Sequence, residues 1–311
     1  MTSGKILVIR GGAIGDFILT LPALAALRRQ FAEAHLEVLG YPHIVQLARA
    51  GGVVNRAEGI EARGLASFFA RDGELPGRWR DYFSEFDLVI SYLYDPDRIF
   101  QDNVMRCMPG QFISGPHRPS ETEHRHATRV FMQPLERLAI FDADAVPRLT
   151  LPPAAGAAAG FLALHPGSGS ERKNWPERQW HQLLESLLED RRLKLLLVGG
   201  EVEAEKLTRL ASALPPERRV IARNLPLVEL AQQLRDCCGF VGHDSGITHL
   251  AAALGLPCVA LWADTDETIW RPQGNDVRIL RAPAGLARLS VAEVMAALRP
   301  LVASGAVPAG Q

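Results

Sequence analysis

Short apolar runs alternate with stretches in which apolar residues recur every three or four positions. Runs of four to six residues bounded by glycine, proline or charged residues read as buried strands, and the longer 3.6-period stretches read as helices. In the first half, strands are expected at Lys5–Arg10, Leu36–Gly40, Asp87–Tyr92 and Gln111–Ser114. Helical patterns fall at Leu21–Phe31, Ile44–Ala50, Arg98–Met105 and His124–Ala139. The rhythm breaks at LPPAAGAAAG, residues 151–160, an uncharged Pro/Ala/Gly stretch that reads as a linker. It then restarts, with strands expected at Phe161–His165, Leu193–Val198, Arg219–Ala222, Gly239–Val241, Cys258–Trp262 and Val277–Leu280 and helices between them.

Strand–helix alternation of this kind builds parallel sheets covered by helices on both faces. The expected fold class is therefore α/β, with two Rossmann-like doubly wound domains, residues 1–155 and 156–311, facing each other across a central cleft. A final helix, Val291–Leu301, is a candidate to pack back on the first domain. In such folds ligands sit at the carboxyl ends of the strands, which is where the polar motifs of this chain lie.

Three strand ends carry these motifs. The first is KILVIRGGAIGDFILTLPAL, residues 5–24, where a strand runs into a turn containing Gly11, Gly12 and Gly15 and then Asp16. The dinucleotide fingerprint G-x-G-x-x-G lacks its first glycine here, because Arg10 occupies it, and no acidic residue closes the next strand, so a nicotinamide cofactor is not expected. Two readings stand for Asp16: a general base projecting into the cleft, or a helix cap. The second motif is HPGSGSERKNWP, residues 165–176, a flexible donor-rich loop in which Ser168 and Lys173 suit a phosphate. The third is GHDSGITHLAAALGLP, residues 242–257. It places Asp244, Ser245 and Gly246 at a helix start, where unpaired N–H groups and the helix dipole favour an anion. Thr248 and His249 add donors, although capping and packing would account for the same residues. Glu201, after Gly199-Gly200, is expected to open a helix and to meet a ribose or simply the helix dipole. Asn224-Leu225 are candidates for a base pocket, whereas Tyr92, Tyr94, Asp95 and Asp97 read better as a polar loop than as an acceptor contact.

Composition narrows the choice. The chain has 311 residues, 47% hydrophobic and 22% charged, with a net charge of -1. Residues 1–150 carry 17 basic and 18 acidic side chains and the remainder 17 and 17, so neither half offers a nucleic-acid footprint. No apolar run reaches membrane-span length, and the amino terminus enters a strand without a signal-peptide plan. Cys107, Cys237, Cys238 and Cys258 show neither metal nor disulfide spacing, which fits reduced thiols and a cytoplasmic protein. Only four residues are lysines (Lys5, Lys173, Lys194 and Lys206), which adds some weight to the one inside the second motif.

Together the motifs resemble glycosyltransferase family 9, the heptosyltransferase-like enzymes. The resemblance spans nearly the whole chain and rests on G-D-x-x-x-x-x-P-A-L from Gly15 to Leu24, on H-P-G-S…K-x-W-P, and on D-S-G-x-x-H-L-A-A-A-L-G-x-P. It implies the GT-B fold and metal-free inverting transfer of a sugar, most often heptose from ADP-heptose, to a lipopolysaccharide-core or related glycan acceptor. It also implies roles: Asp16 as catalytic base, Ser168 and Lys173 on the donor diphosphate, Glu201 on the ribose, and Asp244, Ser245, Gly246 and His249 around the donor sugar and phosphates. No resident cofactor follows. The partners would be a nucleotide sugar and a lipid-linked glycan, with peripheral contact at the inner face of the inner membrane left open. One departure is visible. Where the family has a G-P-T-D-like turn, this chain has Ala263-Asp264-Thr265-Asp266, which puts an extra carboxylate near the donor loops. A nucleotide-sugar epimerase of the same fold and a non-catalytic nucleotide-sugar-binding protein are the rival expectations.

Overall fold

The computed structural model describes residues 4–152 and 160–305. The chain divides into two compact units, Met1–Pro147 and Arg148–Gln311.

In the first unit the elements run β1 (Lys5–Arg10), α1 (Ile14–Ile18), α2 (Leu21–Gln30), β2 (His35–Gly40), α3 (Pro42–Ala50), β3 (Arg56–Gly59), α4 (Gly77–Ser84), β4 (Leu88–Ser91), α5 (Ile99–Met105), β5 (Gln111–Ser114) and α6 (Ala127–Met132). The strands form one parallel sheet in the order β3-β2-β1-β4-β5, with Leu7 of β1 level with Glu37 on one side and Val89 on the other. A parallel strand covered on both faces must be apolar at nearly every position, and β1 is buried from Ile6 through Arg10. One face packs on an aromatic layer containing Phe68, Trp79, Phe83 and Phe100, with the Phe68 and Phe83 rings 5.0 Å apart.

The expected helix at His124–Ala139 is shorter and in two parts. The His126 ring accepts the Thr128 N–H and starts α6 at Ala127, and the chain turns into a 3-10 helix at Gln133–Leu138. Pro134 at the start of that turn has no N–H to continue the α-helical ladder. Strand β3 and helix α4 were not expected: β3 is RAEG, which has no apolar alternation, and α4 carries only two buried residues.

In the second unit the elements are β6 (Leu162–His165), α7 (Glu177–Leu187), β7 (Leu195–Gly199), α8 (Ala204–Ser212), β8 (Arg219–Arg223), α9 (Leu227–Arg235), β9 (Gly239–His243), α10 (Gly246–Ala253), β10 (Cys258–Trp262), α11 (Glu267–Trp270), β11 (Val277–Arg281) and α12 (Val291–Gly305). Its sheet is parallel, in the order β11-β10-β9-β6-β7-β8. Helix α12 packs on α7, β9 and β10, and its Val294, Ala297, Leu298 and Leu301 complete the core of this unit.

The boundary at Pro147/Arg148 lies ahead of the expected 155/156. The Leu149 N–H donates to the Ala253 carbonyl at 2.8 Å and Arg235 donates to the Leu151 carbonyl at 2.8 Å, so this stretch already belongs to the second sheet's helices. Residues 153–159 of the expected linker lie outside the described residues.

In each unit successive crossovers leave the first strand in opposite directions. The strand order therefore reverses between β1 and β4, and between β6 and β9. The loops after β1, β6 and β9 emerge at these switch points, where doubly wound sheets open a crevice for ligands.

Candidate active site

At the end of β1 the chain turns through Gly11 and Gly12 into α1. Gly12 has φ +95°, and a Cβ there would lie 2.8 Å from Asp16 Oδ2, so only glycine fits without displacing the aspartate. Asp16 is the third residue of α1 and Gly15 the second. Asp16 Oδ2 accepts the Ala13 N–H at 2.9 Å, which caps the helix. Its Oδ1 lies 3.4 Å from Arg10 Nη2, and about a quarter of the side chain, 27%, stays exposed. The capping reading is realised, and part of the carboxylate stays exposed. Tyr92 and Asp95 are occupied structurally: the Tyr92 hydroxyl donates to the Phe131 carbonyl, and Asp95 accepts the Phe100 and Gln101 N–H groups.

In the second unit the loop after β6 is pinned by a histidine that sequence reasoning passed over. The Trp175 N–H donates to His243 Nε2 at 2.8 Å, which leaves the ring proton on Nδ1, facing the Gly167 carbonyl at 3.1 Å. Burial pushes His243 down to about 3, so the ring stays neutral and this tautomer holds. The buried Trp175 indole donates to the Leu289 carbonyl and anchors the far end of the loop.

Within that frame Lys173 Nζ sits 2.6 Å from Asp244 Oδ2, and the Thr265 hydroxyl donates to the same oxygen at 2.6 Å. Three strand-end loops, after β6, β9 and β10, therefore meet on one carboxylate. The Ser168 hydroxyl lies 2.7 Å from the Ser170 carbonyl and 2.8 Å from Asn174 Oδ1, shaping the loop. Ser245 caps α10 by accepting the Thr248 N–H, and its hydroxyl is 3.4 Å from His165 Nδ1. Gly246 is the first residue of α10 and His249 is buried one turn in. Thr248 is buried, with its hydroxyl turned back onto the His243 carbonyl.

Glu201 does not open the helix. It is exposed in the preceding turn, α8 begins at Ala204, and Glu203 takes the Gly200 N–H at 3.0 Å. Glu203 also lies against Gly167, where a Cβ would come within 2.3 Å of its Oε1. Asn224 adopts φ +54°, and its N–H bonds to the Gly199 carbonyl. Asp264 pairs with Arg172 at 3.4 Å, while Asp266 accepts the Thr268 N–H and caps α11.

Two further polar groups line these loops. Lys206 Nζ donates to the Pro166 carbonyl at 3.2 Å, and burial holds its pKa down. His165 is driven down to about 4, first by burial and then by the Lys206 charge. His165 and His243 each end an apolar strand, a polar residue breaking a buried run, and that was the signal available. Among the described residues no group of three or more His, Cys, Asp or Glu is arranged to hold a metal ion, and no helix is long and apolar enough to cross a membrane.

Two α/β units with parallel sheets, each presenting polar loops at its switch point, are the architecture of the GT-B glycosyltransferases. A model of glycosyltransferase family 9 (heptosyltransferase) matches residues 137–293, about half the chain, and the chain belongs to that family. Lipopolysaccharide heptosyltransferase 1 of Pseudomonas aeruginosa is 33% identical over 108 residues, which cover 35% of this chain and 30% of that enzyme's length. A putative glycosyltransferase of Haemophilus influenzae is 24% identical across 88% of this chain and 87% of its own. Among solved structures, E. coli heptosyltransferase WaaC with ADP superposes with a TM-score of 0.77 at 19% identity, over 96% of this chain and 99% of that one, a likeness of fold.

Proposed function

We propose that this protein is an inverting glycosyltransferase that moves heptose from ADP-heptose to a lipopolysaccharide-core or related lipid-linked glycan, working from the cytoplasmic side of the inner membrane. The observation that carries the reading is the cluster of Lys173, Asp244 and Thr265 beside the N-terminus of α10. It sets the Lys173 ammonium and a set of oriented N–H groups at the β6/β9 switch point, where a diphosphate leaving group needs positive potential.

In the reaction an acceptor hydroxyl attacks the anomeric carbon, the bond from that carbon to the diphosphate breaks, and ADP departs with the electron pair. A single displacement of this kind inverts the anomeric centre, through an oxocarbenium-like transition state. Asp16 takes the acceptor's proton. Lys173 exchanges Asp244 for the diphosphate, and the carboxylate it leaves becomes an acceptor for donor hydroxyl groups. Ser168 and the loop fixed by His243 frame the phosphates, and Glu201 reaches the ribose. The transfer uses no metal, since the Lys173 ammonium and the helix start supply the counter-charge.

Incubation with a panel of ADP- and UDP-linked sugars, read as nucleotide release with and without deacylated lipopolysaccharide core, tests the reading. Acceptor-dependent ADP release supports it. Release of UDP alone would move the donor class, and an altered nucleotide sugar formed without acceptor would point to an epimerase.

A further inference from the structure

Arg10 closes β1 with its side chain only 2% exposed, an unusual place for a charge. Its guanidinium reaches the His117 carbonyl at 3.0 Å and the Tyr92 and Asp16 carbonyls at 3.5 Å. It lies over the Phe131 ring at 4.3 Å, with the Tyr92 ring 5.7 Å away, and its Nε is buried without a partner. Burial lowers its pKa from the usual arginine value, while Asp16 pulls it back up. An apolar side chain of similar size would fill this space without the cost of desolvating a cation. The carboxylate facing the charge is that of Asp16, with Oδ1 3.4 Å from Nη2.

We propose that Arg10 is a positioning residue for Asp16. Its Nη2 donates to the main-chain carbonyl of Asp16 and pairs with Oδ1 from inside the unit, while Nη1 is held by the Tyr92 and His117 carbonyls and the Ala13 N–H holds Oδ2, so the carboxylate presents its remaining lone pairs outward in one orientation. The carbonyls of Tyr92 and His117 in turn fix the guanidinium, tying the ends of β1, β4 and β5 to the aspartate. Arg10 lies beneath Asp16 and does not touch substrate. The inference rests on Asp16 being the general base.

A mutant cycle tests it, with turnover read as ADP release from ADP-heptose and deacylated lipopolysaccharide core. Arg10→Met is expected to lower kcat by about 10²-fold, the scale of a misplaced catalytic group, with KM for ADP-heptose and calorimetric ADP affinity unchanged. Arg10→Lys, which keeps the charge but not the planar fork, should fall between. In the Asp16→Asn background Arg10→Met should cost nothing further. An equal loss in both backgrounds, or Arg10→Met turning over like wild type while Asp16→Asn is slow, would overturn the inference and leave the base assignment standing. Asp16→Asn with wild-type turnover would remove the base assignment and this inference together. Where Arg10→Met does not fold, Arg10→Lys made with and without Asp16→Asn completes the same cycle. A loss confined to the Asp16 background supports the inference, and an equal loss in both overturns it.

Discussion

Lys173→Ala probes the proposed donor site most sharply, because Lys173 is held in a defined ion pair. Its Nζ is 2.6 Å from Asp244 Oδ2, with the two side chains 28% and 12% exposed, so the ammonium is already neutralised. In the proposed exchange the diphosphate of ADP would take the Lys173 ammonium from Asp244, whose carboxylate would keep the Thr265 hydroxyl. A charge-assisted hydrogen bond contributes about 1.5–3 kcal/mol, so Lys173→Ala should weaken ADP roughly 10- to 150-fold. Part of that loss is repulsion between the diphosphate and an Asp244 stripped of its cation. Adding Asp244→Asn should therefore recover some affinity, leaving the double variant a better ADP binder than Lys173→Ala. Isothermal titration calorimetry with ADP, at one fixed ionic strength, reads both numbers. Unchanged ADP affinity in Lys173→Ala would refute the assignment, and a double variant no better than the single would refute the partner exchange.

Three further outcomes are expected. His243 and His165 are held neutral at about 3 and about 4, far below an unfolded histidine, so the unfolded chain binds more protons between those values and about 6.5 and stability must fall as pH drops through that window. Denaturant melts should lose about 2 kcal/mol per histidine between pH 7 and pH 5, and His243→Gln should flatten that slope; an unchanged slope would contradict it. Glu201→Ala should weaken ADP without moving the thermal midpoint, whereas Glu203→Ala should lower the midpoint by removing the cap on the Gly200 N–H; the opposite pattern would exchange their roles. Turnover should survive EDTA, because Asp264 is engaged by Arg172 and Asp266 by Thr268; loss of activity restored by Mg²⁺ or Mn²⁺ would make Asp264-Thr265-Asp266 a metal site.

Much of the fold can be read from the chain because central parallel strands, covered on both faces, are apolar at nearly every position, and the runs Lys5–Arg10 and Cys258–Trp262 coincide with β1 and β10. Edge strand β3 could not be read that way, since an edge strand needs no apolar run and RAEG has none. In the loops after β6 and β9, residue types and spacing single out Ser168, Lys173, Asp244 and Ser245 as candidates. Their pairing was not legible, because the Lys173–Asp244 contact joins residues 71 apart in sequence. The same limit hid His243 and Arg10, whose roles come from main-chain partners brought in by distant strands. Glu201 and Glu203 differ by two positions in one turn, and only the start of α8 at Ala204 decides which of them stands at its N-terminal boundary and takes the Gly200 N–H.

Transfer of a sugar to an acceptor with inversion is the decisive property to measure. The purified protein, ADP-heptose and deacylated lipopolysaccharide core should yield one ADP per heptose added. Mass spectrometry should show the acceptor heavier by one heptose, and the anomeric configuration of the new linkage by NMR should be opposite to that of the donor. ADP-heptose bound without turnover, or a linkage that keeps the donor's configuration, would contradict the account.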